Sequence, residues 1–433
     1  MKNNQIISYQ KKCKICGNKN LKKVVNIEEQ YLSATFVKTN HNNPLKKIKT
    51  PLTLILCSSD KKNKGCGLLQ LYEVVKPDLL YRKYFYRSST NDTMRKDLKD
   101  VTDRLSKIVK PKKNDLIVDI GSNDNTLLNF YDKKFEFIGF EPAQNILKIK
   151  SENKINVVKN YFNFKEFNKI SNKKAKIISS CAMFYDLKNP KLFVKDIGKI
   201  INDDGVWCVQ ISYLLNMITN MNFYDICHEH LSYYSIDSFE RLIKPFGLKI
   251  FLAETNAVNG GSIRFYVCKK ECKKYDKNIY FEKFKRLKEI EKKYKLKSKE
   301  TYFVFEKQIN NLKNITKKYI DKNIENNKKI VGLGASTKGN ILLQHFGLNK
   351  KYIPYISEIN KFKIGLRCIG TDIKLISEKE MNFYKPDIKL VLPWYFKNEI
   401  IKREKQFLNR GGTLYFPMPY PHIVTLKKEK KIF

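Results

Sequence analysis

No run of about 18 consecutive apolar residues, the length a membrane-crossing helix requires, occurs in the 433-residue sequence. The opening Met-Lys-Asn-Asn-Gln leads into no hydrophobic signal segment, so no membrane association is expected and the expected address is the cytoplasm. Histidine is scarce, with five in the chain, so two standing together draw notice. Acidic residues are outnumbered: 43 Asp and Glu against 85 Lys and Arg leave a formal charge of +42. Such an excess can hold phosphate backbones. Here it is mostly lysine spread along the whole chain amid abundant isoleucine and asparagine, as a codon-composition bias would leave it. A solvated basic surface is therefore expected, with no nucleic-acid partner, and its field would help attract an anionic small molecule such as a nucleotide diphosphate.

A chain of 433 residues exceeds one ordinary core, so two or three domains are expected. Four of the ten cysteines fall in the first 66 residues, and in a long chain without a secretory signal that clustering points to metal before disulfides. Residues 1–75 read as a small β-rich module of short apolar runs between turn signals. An aromatic stretch then leads into an amphipathic helix up to about residue 110, with Ser88, Ser89 and Thr90 available as caps. From Leu116 apolar strands alternate with helical stretches: "LIVDI" (116–120), "FEFIGFEP" (135–142), "AKIISSCAMF" (175–184) and "GVWCVQISYL" (205–214). That alternation predicts a mainly parallel, helix-covered sheet, closed by an antiparallel hairpin over 247–268. A charged helical linker over 271–325 separates this 76–270 domain from a second α/β domain, 326–433, whose strand pattern resumes at "KKIVGLGAS". The two α/β parts could be distant copies of one plan.

Cys13 and Cys16, in "CKICG", have the spacing that brings two thiolates to one tetrahedral zinc, and Cys57 and Cys66 would complete four sulfur ligands through a wider, looped-out knuckle. With no position left for water, this zinc would be structural. The strand "LIVDI" delivers Asp119 to a turn containing Gly121, Ser122, Asn123 and Asp124, and a helix is expected to follow. Glu141 ends the next strand 22 residues after Asp119, where an acid can accept from two ribose hydroxyls. The turn has no G-x-G-x-x-G, the fingerprint that admits a pyrophosphate, so a cofactor without one, S-adenosylmethionine, suits it better. Pro142 and Met183, beside these strand ends, are placed on the same cofactor. A second glycine turn, "VGLGASTKGN" (331–340), follows another strand, and Glu358 ends the one after it. With Thr337 where a third glycine would fall, it reads equally as a packing turn or as a nucleotide or phosphate contact. In "NFYDICHEHLSYYS" (222–235) His228 and His230 flank Glu229 near the rim where a doubly wound sheet binds ligands. Imidazoles titrate near neutrality, so a catalytic base oriented by Glu229 is one reading and a hydrogen-bonded structural pair the other.

Taken together, "CKICG", "VDIGSND", "GFEP", "AMFYDL", "ICHEHLSYYS", "NGGSIRFYV", "VGLGASTKGN" and "LVLPW" resemble the zinc-containing sugar C-methyltransferase family of deoxysugar biosynthesis, across nearly the whole chain. The resemblance implies a zinc-binding N-terminal module, a central Rossmann-like methyltransferase domain and a C-terminal Rossmann-like domain. It implies a nucleotide-linked ketosugar as substrate, methylated on carbon after a base forms an enolate. His230 is then the preferred base, with Glu229 positioning it and His228 in reserve, and Tyr86 near the sugar. Tyr224, Asp186, Cys227, Asn259, Gly334 and Lys338 are expected to contact the substrate. The chain departs from many relatives at Cys227 (tyrosine), Asp186 and Asn259 (histidine), so the sugar would differ in detail. A monomer or homodimer is expected. Methylation of RNA or of another small molecule on oxygen or nitrogen, and an inactive sugar-nucleotide-binding protein, are the competing readings.

Overall fold

The structure is a computed structural model that describes residues 6–33, 35–38, 48–59, 64–81, 86–146 and 153–432. Its central sheet has seven strands in the order Leu248–Asn256, Ser262–Lys269, Ile201–Ser212, Ala175–Cys181, Leu116–Ile120, Glu136–Phe140, Ile155–Val158. The strands from Ile201–Ser212 to Ile155–Val158 pair in parallel, and the first two form the antiparallel hairpin expected over 247–268. All five residues of Leu116–Ile120 are buried, as a strand covered on both faces requires. Chain order reverses on either side of this strand, so a crevice opens at its C-terminal end, where Gly121 stands.

The second α/β unit repeats this plan. Ile330–Leu333 pairs in parallel with Tyr355–Ser357 on one side and Ile388–Val391 on the other, and Gly334 follows it at the corresponding reversal. Its sheet has nine strands, the last being Phe36–Val37 from the N-terminal region, paired antiparallel with Arg367–Cys368. The N-terminal sheet in turn contains a guest: Ser232–Tyr233, directly after the His-Glu-His tract, pairs antiparallel with Leu69–Leu71, beside Lys49–Cys57 and Leu21–Tyr31. The helical stretch forms Asn278–Lys293 and Lys299–Glu325. The longer helix buries Tyr302, Phe305, Ile309, Leu312, Thr316 and Ile320, a stripe of three- and four-residue steps. Its Glu306 accepts from the Asn26 amide at 2.8 Å and its Thr316 from the Tyr415 hydroxyl at 2.9 Å, so it touches both flanking units.

Two local expectations change. The helix Asp92–Val109 is capped by Asn91, whose side chain accepts from the Met94 amide, while Ser88–Thr90 forms a separate 3-10 turn. After the first glycine turn, a 3-10 turn at Leu128–Phe130 replaces the expected helix. Asn123 and Asn125 take left-handed φ of 51° and 62°, and Asp124 accepts from the Thr126 hydroxyl at 2.5 Å. Short polar side chains bonding locally compete with the helical ladder.

The core beneath the site is aromatic. Trp207, fully buried on the central sheet, lies 5.6 Å from Phe184 and 6.1 Å from Phe239, and donates to Ser180 Oγ at 3.1 Å. Trp207→Ala should lower the unfolding free energy by about 3–5 kcal/mol, read from the denaturant midpoint; a shift under about 1 kcal/mol would contradict this packing.

Candidate active site

The four cysteines converge. Cys13 and Cys16 lie on a turn that Gly17 closes at φ +75°, its amide donating to the Cys13 carbonyl at 3.0 Å. Cys57 ends the strand Lys49–Cys57, and the amide of Gly67, next to Cys66, donates to the Cys57 carbonyl at 3.1 Å. The sulfurs of Cys13 and Cys66 stand 3.3 Å apart and those of Cys16 and Cys57 3.5 Å apart, with all four within 4.8 Å of one another. Four sulfurs at about 2.3 Å from one zinc have edges of about 3.8 Å, so the set fits that ion. Hydrogen bonds from Cys13 and Cys66 lower the Cys57 thiol, while the same contacts and burial raise those of Cys13 and Cys66, so of these three Cys57 alone is favoured as thiolate. With four protein ligands this zinc is structural.

At the end of Leu116–Ile120, Gly121 takes φ +76°, and an added Cβ would meet the Met183 side chain at 3.0 Å. Asp119 accepts from Ser179 Oγ at 2.6 Å, and burial pushes its carboxyl up to about 7. Glu141 accepts from the Asn123 amide at 2.9 Å and from the Ala143 amide at 2.7 Å, one bond per oxygen. Each oxygen keeps a second lone pair, the number of acceptor positions that two adjacent ribose hydroxyls require. The residues therefore fit S-adenosylmethionine. The side chains of Asn123 and Asp124 are used otherwise: they accept from the amides of Ser88 and Ser89 at 3.0 and 2.9 Å, and Asn123 donates to the Tyr86 carbonyl at 3.2 Å. The turn thus anchors the segment bearing Tyr86.

The two histidines diverge. His228 faces the N-terminal sheet, its Nδ1 receiving the Ser33 amide at 3.3 Å and its ring resting against the Thr50 carbonyl. Burial lowers it to about 4, and it does not line the cavity described below. Glu229 accepts from Ser33 Oγ at 2.6 Å; burial raises its carboxyl and that bond partly offsets the rise. His230 packs its ring 4.2 Å from that of Tyr185 and lies beside the Asp225 carbonyl. Burial first, and then the charge of Lys338, lower it to about 3.

Lys338 comes from the second glycine turn, where Ser336 caps the helix Thr337–His345. Its ammonium pairs with Asp225 and donates to the Asn259 carbonyl at 3.2 Å. Tyr224 and Tyr395 flank it, ring centroids 5.7 and 5.6 Å from Nζ. Glu358 repeats the bonding of Glu141, accepting from the Ala335 amide at 3.1 Å and from the amides of Ile359 and Asn360 at 2.9 and 2.8 Å.

One cavity of about 650 Å³ joins these parts, a volume suited to cofactor and substrate together. Of the residues named from sequence, Tyr86, Asp119, Gly121, Ser122, Asn123, Glu141, Pro142, Met183, Asp186, Cys227, Glu229, His230, Asn259, Gly334 and Lys338 line it. Asp124, Tyr224 and His228 stand behind its wall. Sequence reasoning missed Ser33, Tyr185, Asp225 and Tyr395. Tyr185 and Asp225 sat inside quoted motifs, whereas nothing local marks Ser33.

Metal analysis of protein purified in reductant should find one zinc per chain, and Cys57→Ser should lose it together with several degrees of melting temperature. Zinc-free protein of unchanged stability would contradict the site. His228 generates a pH dependence. Below about 6.5 an unfolded chain protonates this imidazole while the folded one does not until about 4, so folding loses stability as pH falls across that window. The full loss is about 3 kcal/mol. His228→Asn should be less destabilising relative to the parent at pH 4.5 than at pH 7 in urea titrations; an unchanged difference would contradict the buried neutral ring.

Three family profiles match consecutively: "Putative zinc binding domain" over residues 13–81, "Methyltransferase domain" over 91–252, and "C-methyltransferase C-terminal domain" over 257–419. The C-methyltransferase NovU of Streptomyces niveus is 24% identical over 416 residues, 95% of this chain and 96% of that protein. Among solved structures, an S-adenosylmethionine-dependent methyltransferase from Clostridium acetobutylicum is 14% identical, covering 40% of this chain and 91% of its own, with a TM-score of 0.32. The plantazolicin methyltransferase BpumL, solved with an analogue and SAH, is 14% identical over 42% of this chain and 87% of its own, with a TM-score of 0.32. The order of the three profiles along the chain, and a relative aligned over nearly its full length, identify an S-adenosylmethionine-dependent methyltransferase with a zinc-binding module, similar throughout to the C-methyltransferases.

Proposed function

We propose that this enzyme methylates a carbon beside the ketone of a nucleotide-diphosphate-linked sugar. The observation that carries the reading is the shared cavity: the first glycine turn, Glu229 and His230, and the second glycine turn all open into it. A substrate with a nucleotide at one end and a reacting sugar at the other would span the distance between the second turn and the histidine. The basic balance of the chain favours an anionic ligand of this kind.

S-adenosylmethionine supplies a methyl group made electrophilic by its sulfonium sulfur. Asp119, Gly121 and Ser122 would shape its bed, with Glu141 taking the ribose hydroxyls and Pro142 and Met183 packing beside it. A carbon beside a ketone is not nucleophilic until it loses a proton. His230 takes that proton on a ring nitrogen, the ring lying beside the Asp225 carbonyl. The electron pair moves to the carbonyl oxygen. The carbon then forms its bond to the methyl as the methyl–sulfur bond breaks, and the ketone re-forms. Glu229, fixed by Ser33, positions the sugar or the ring of His230. Tyr86, Asp186, Cys227 and Asn259, which line the cavity, would meet the sugar, and Gly334 the nucleotide.

Incubation with labelled S-adenosylmethionine and a panel of nucleotide-linked ketosugars should place label on a ring carbon; label found only on oxygen or nitrogen, or only on RNA, would sink the reading. His230→Gln should lose about 10²–10⁴-fold in rate while adenosylhomocysteine binds with unchanged affinity by calorimetry.

A further inference from the structure

Lys338 is the cation placed deepest among the reacting groups, and its position is costly. The side chain is 14% exposed, and that of its partner Asp225 only 2%. Taking both charges out of water costs several kcal/mol that a packed apolar pair would not. A structural tie between the second glycine turn and the His-Glu-His tract does not need charge.

The donor count shows what the charge leaves over. An ammonium has three N–H groups and no acceptor. One goes to Asp225 and one to the Asn259 carbonyl. The rings of Tyr224 and Tyr395 flank the group without accepting a conventional bond. Lys338 and His230 both line the cavity, and the lysine's charge is felt at the imidazole, so the third N–H is left for a ligand there. Burial opposes the ammonium most strongly, yet Asp225 and Tyr395 lift it above its ordinary value, so it stays charged at neutral pH. Cys227, beside it, offers no comparable donor, because burial holds its thiol well above its usual range and an S–H is a weak donor.

We propose that Lys338 is the electrophile of the reaction: its third N–H bonds the substrate's carbonyl oxygen and holds the negative charge that collects there when His230 removes the neighbouring proton. This rests on the carbon-methylation reading. The balance is simple. The C–H electron pair becomes the new C=C bond, the carbonyl π pair becomes the oxyanion facing Lys338, and the proton resides on His230. When the carbon bonds to the methyl, the oxyanion pair returns to C=O and the methyl–sulfur pair leaves on sulfur. Lys338 donates a hydrogen bond throughout and gives up no proton.

The step that Lys338 serves can be read without methyl transfer. In heavy water, with adenosylhomocysteine in place of S-adenosylmethionine, the proton beside the ketone of a nucleotide-linked ketosugar that the parent methylates should exchange, as followed by proton NMR. Lys338→Met should slow that exchange by about 10²–10³-fold at saturating substrate. The affinity for the nucleotide diphosphate alone should change far less. Lys338→Arg should recover part of the rate, and Lys338→Gln, which keeps a donor without the charge, should stay near the methionine variant. Exchange at the parental rate in Lys338→Met, or a loss confined to KM, would overturn the assignment. If the methionine variant does not fold, a glutamine variant that exchanges like the parent overturns it equally. A parent that exchanges no proton with any ketosugar would instead remove the carbon-methylation reading itself, and the role of Lys338 with it.

Discussion

The pairing of Ser232–Tyr233 with Leu69–Leu71 is the constraint on which the rest of the site depends. These two residues lie immediately after the His-Glu-His tract, and as an edge strand of the cysteine-bearing module they fix where that tract leaves the methyltransferase sheet. Further bonds tighten the same junction. The Leu71 amide donates to the Leu231 carbonyl at 3.2 Å, the Leu231 amide to the Tyr185 carbonyl at 2.9 Å, and the Tyr81 hydroxyl to the Glu229 carbonyl at 3.0 Å. Ser33 then reaches both Glu229 and His228 from the same module. The cysteine turns, at the end of Lys49–Cys57 and ahead of Leu69–Leu71, belong to the same four-stranded sheet whose edge carries Ser232–Tyr233.

What could be read from the residues was what local pattern encodes. Strands such as Leu116–Ile120 and Ala175–Cys181 are continuous apolar runs, and the antiparallel hairpin shows by its turn. The four cysteines could be grouped because metal ligation restricts spacing so tightly. What could not be read was contact between distant segments. Phe36–Val37 becomes an edge of the C-terminal sheet, and Ser33 sits 196 residues from Glu229, with no periodicity to announce either. The histidine pair failed to separate for a related reason. Two residues apart in a loop, His228 and His230 have no period that fixes their directions, and only the packing of the N-terminal sheet against one of them decides which faces the cavity. The missing helix after Gly121 is a case where local chemistry was present and was outweighed: serine, asparagine and aspartate side chains bond backbone nearby more readily than they continue a helix.

The two α/β units share more than strand order. In each, an acid just after the second strand accepts the amide of a residue in that unit's own glycine turn, Asn123 to Glu141 and Ala335 to Glu358. The difference lies in what remains. Glu141 spends one acceptor position on each oxygen, whereas Glu358 accepts two amides on Oε1 and one on Oε2. With about four lone-pair positions on a carboxylate, the first acid keeps two for a ligand and the second keeps one. A common plan thus carries two different hydrogen-bonding capacities, and both turns open into one cavity.

That meeting place explains a tension in the electrostatics. A histidine held near a pKa of about 3 is a feeble base on its own, and Lys338 contributes to making it so. Yet the charge that weakens His230 in the free enzyme faces an opposite charge as the reaction advances. Negative charge developing on a carbonyl oxygen between them neutralises the ammonium's repulsion of the imidazolium and adds an attraction of its own. At a separation of about 4 Å and an effective dielectric near 20, each such interaction is on the order of 4 kcal/mol. On the carbon-methylation reading, the proton affinity of His230 therefore rises as the proton moves and stays low in the resting site, where a charged imidazole would sit beside the Lys338 ammonium. A base tuned in isolation to neutrality would be half-protonated before substrate arrived. Burial beside a cation keeps it empty, and the substrate's own charge restores its strength.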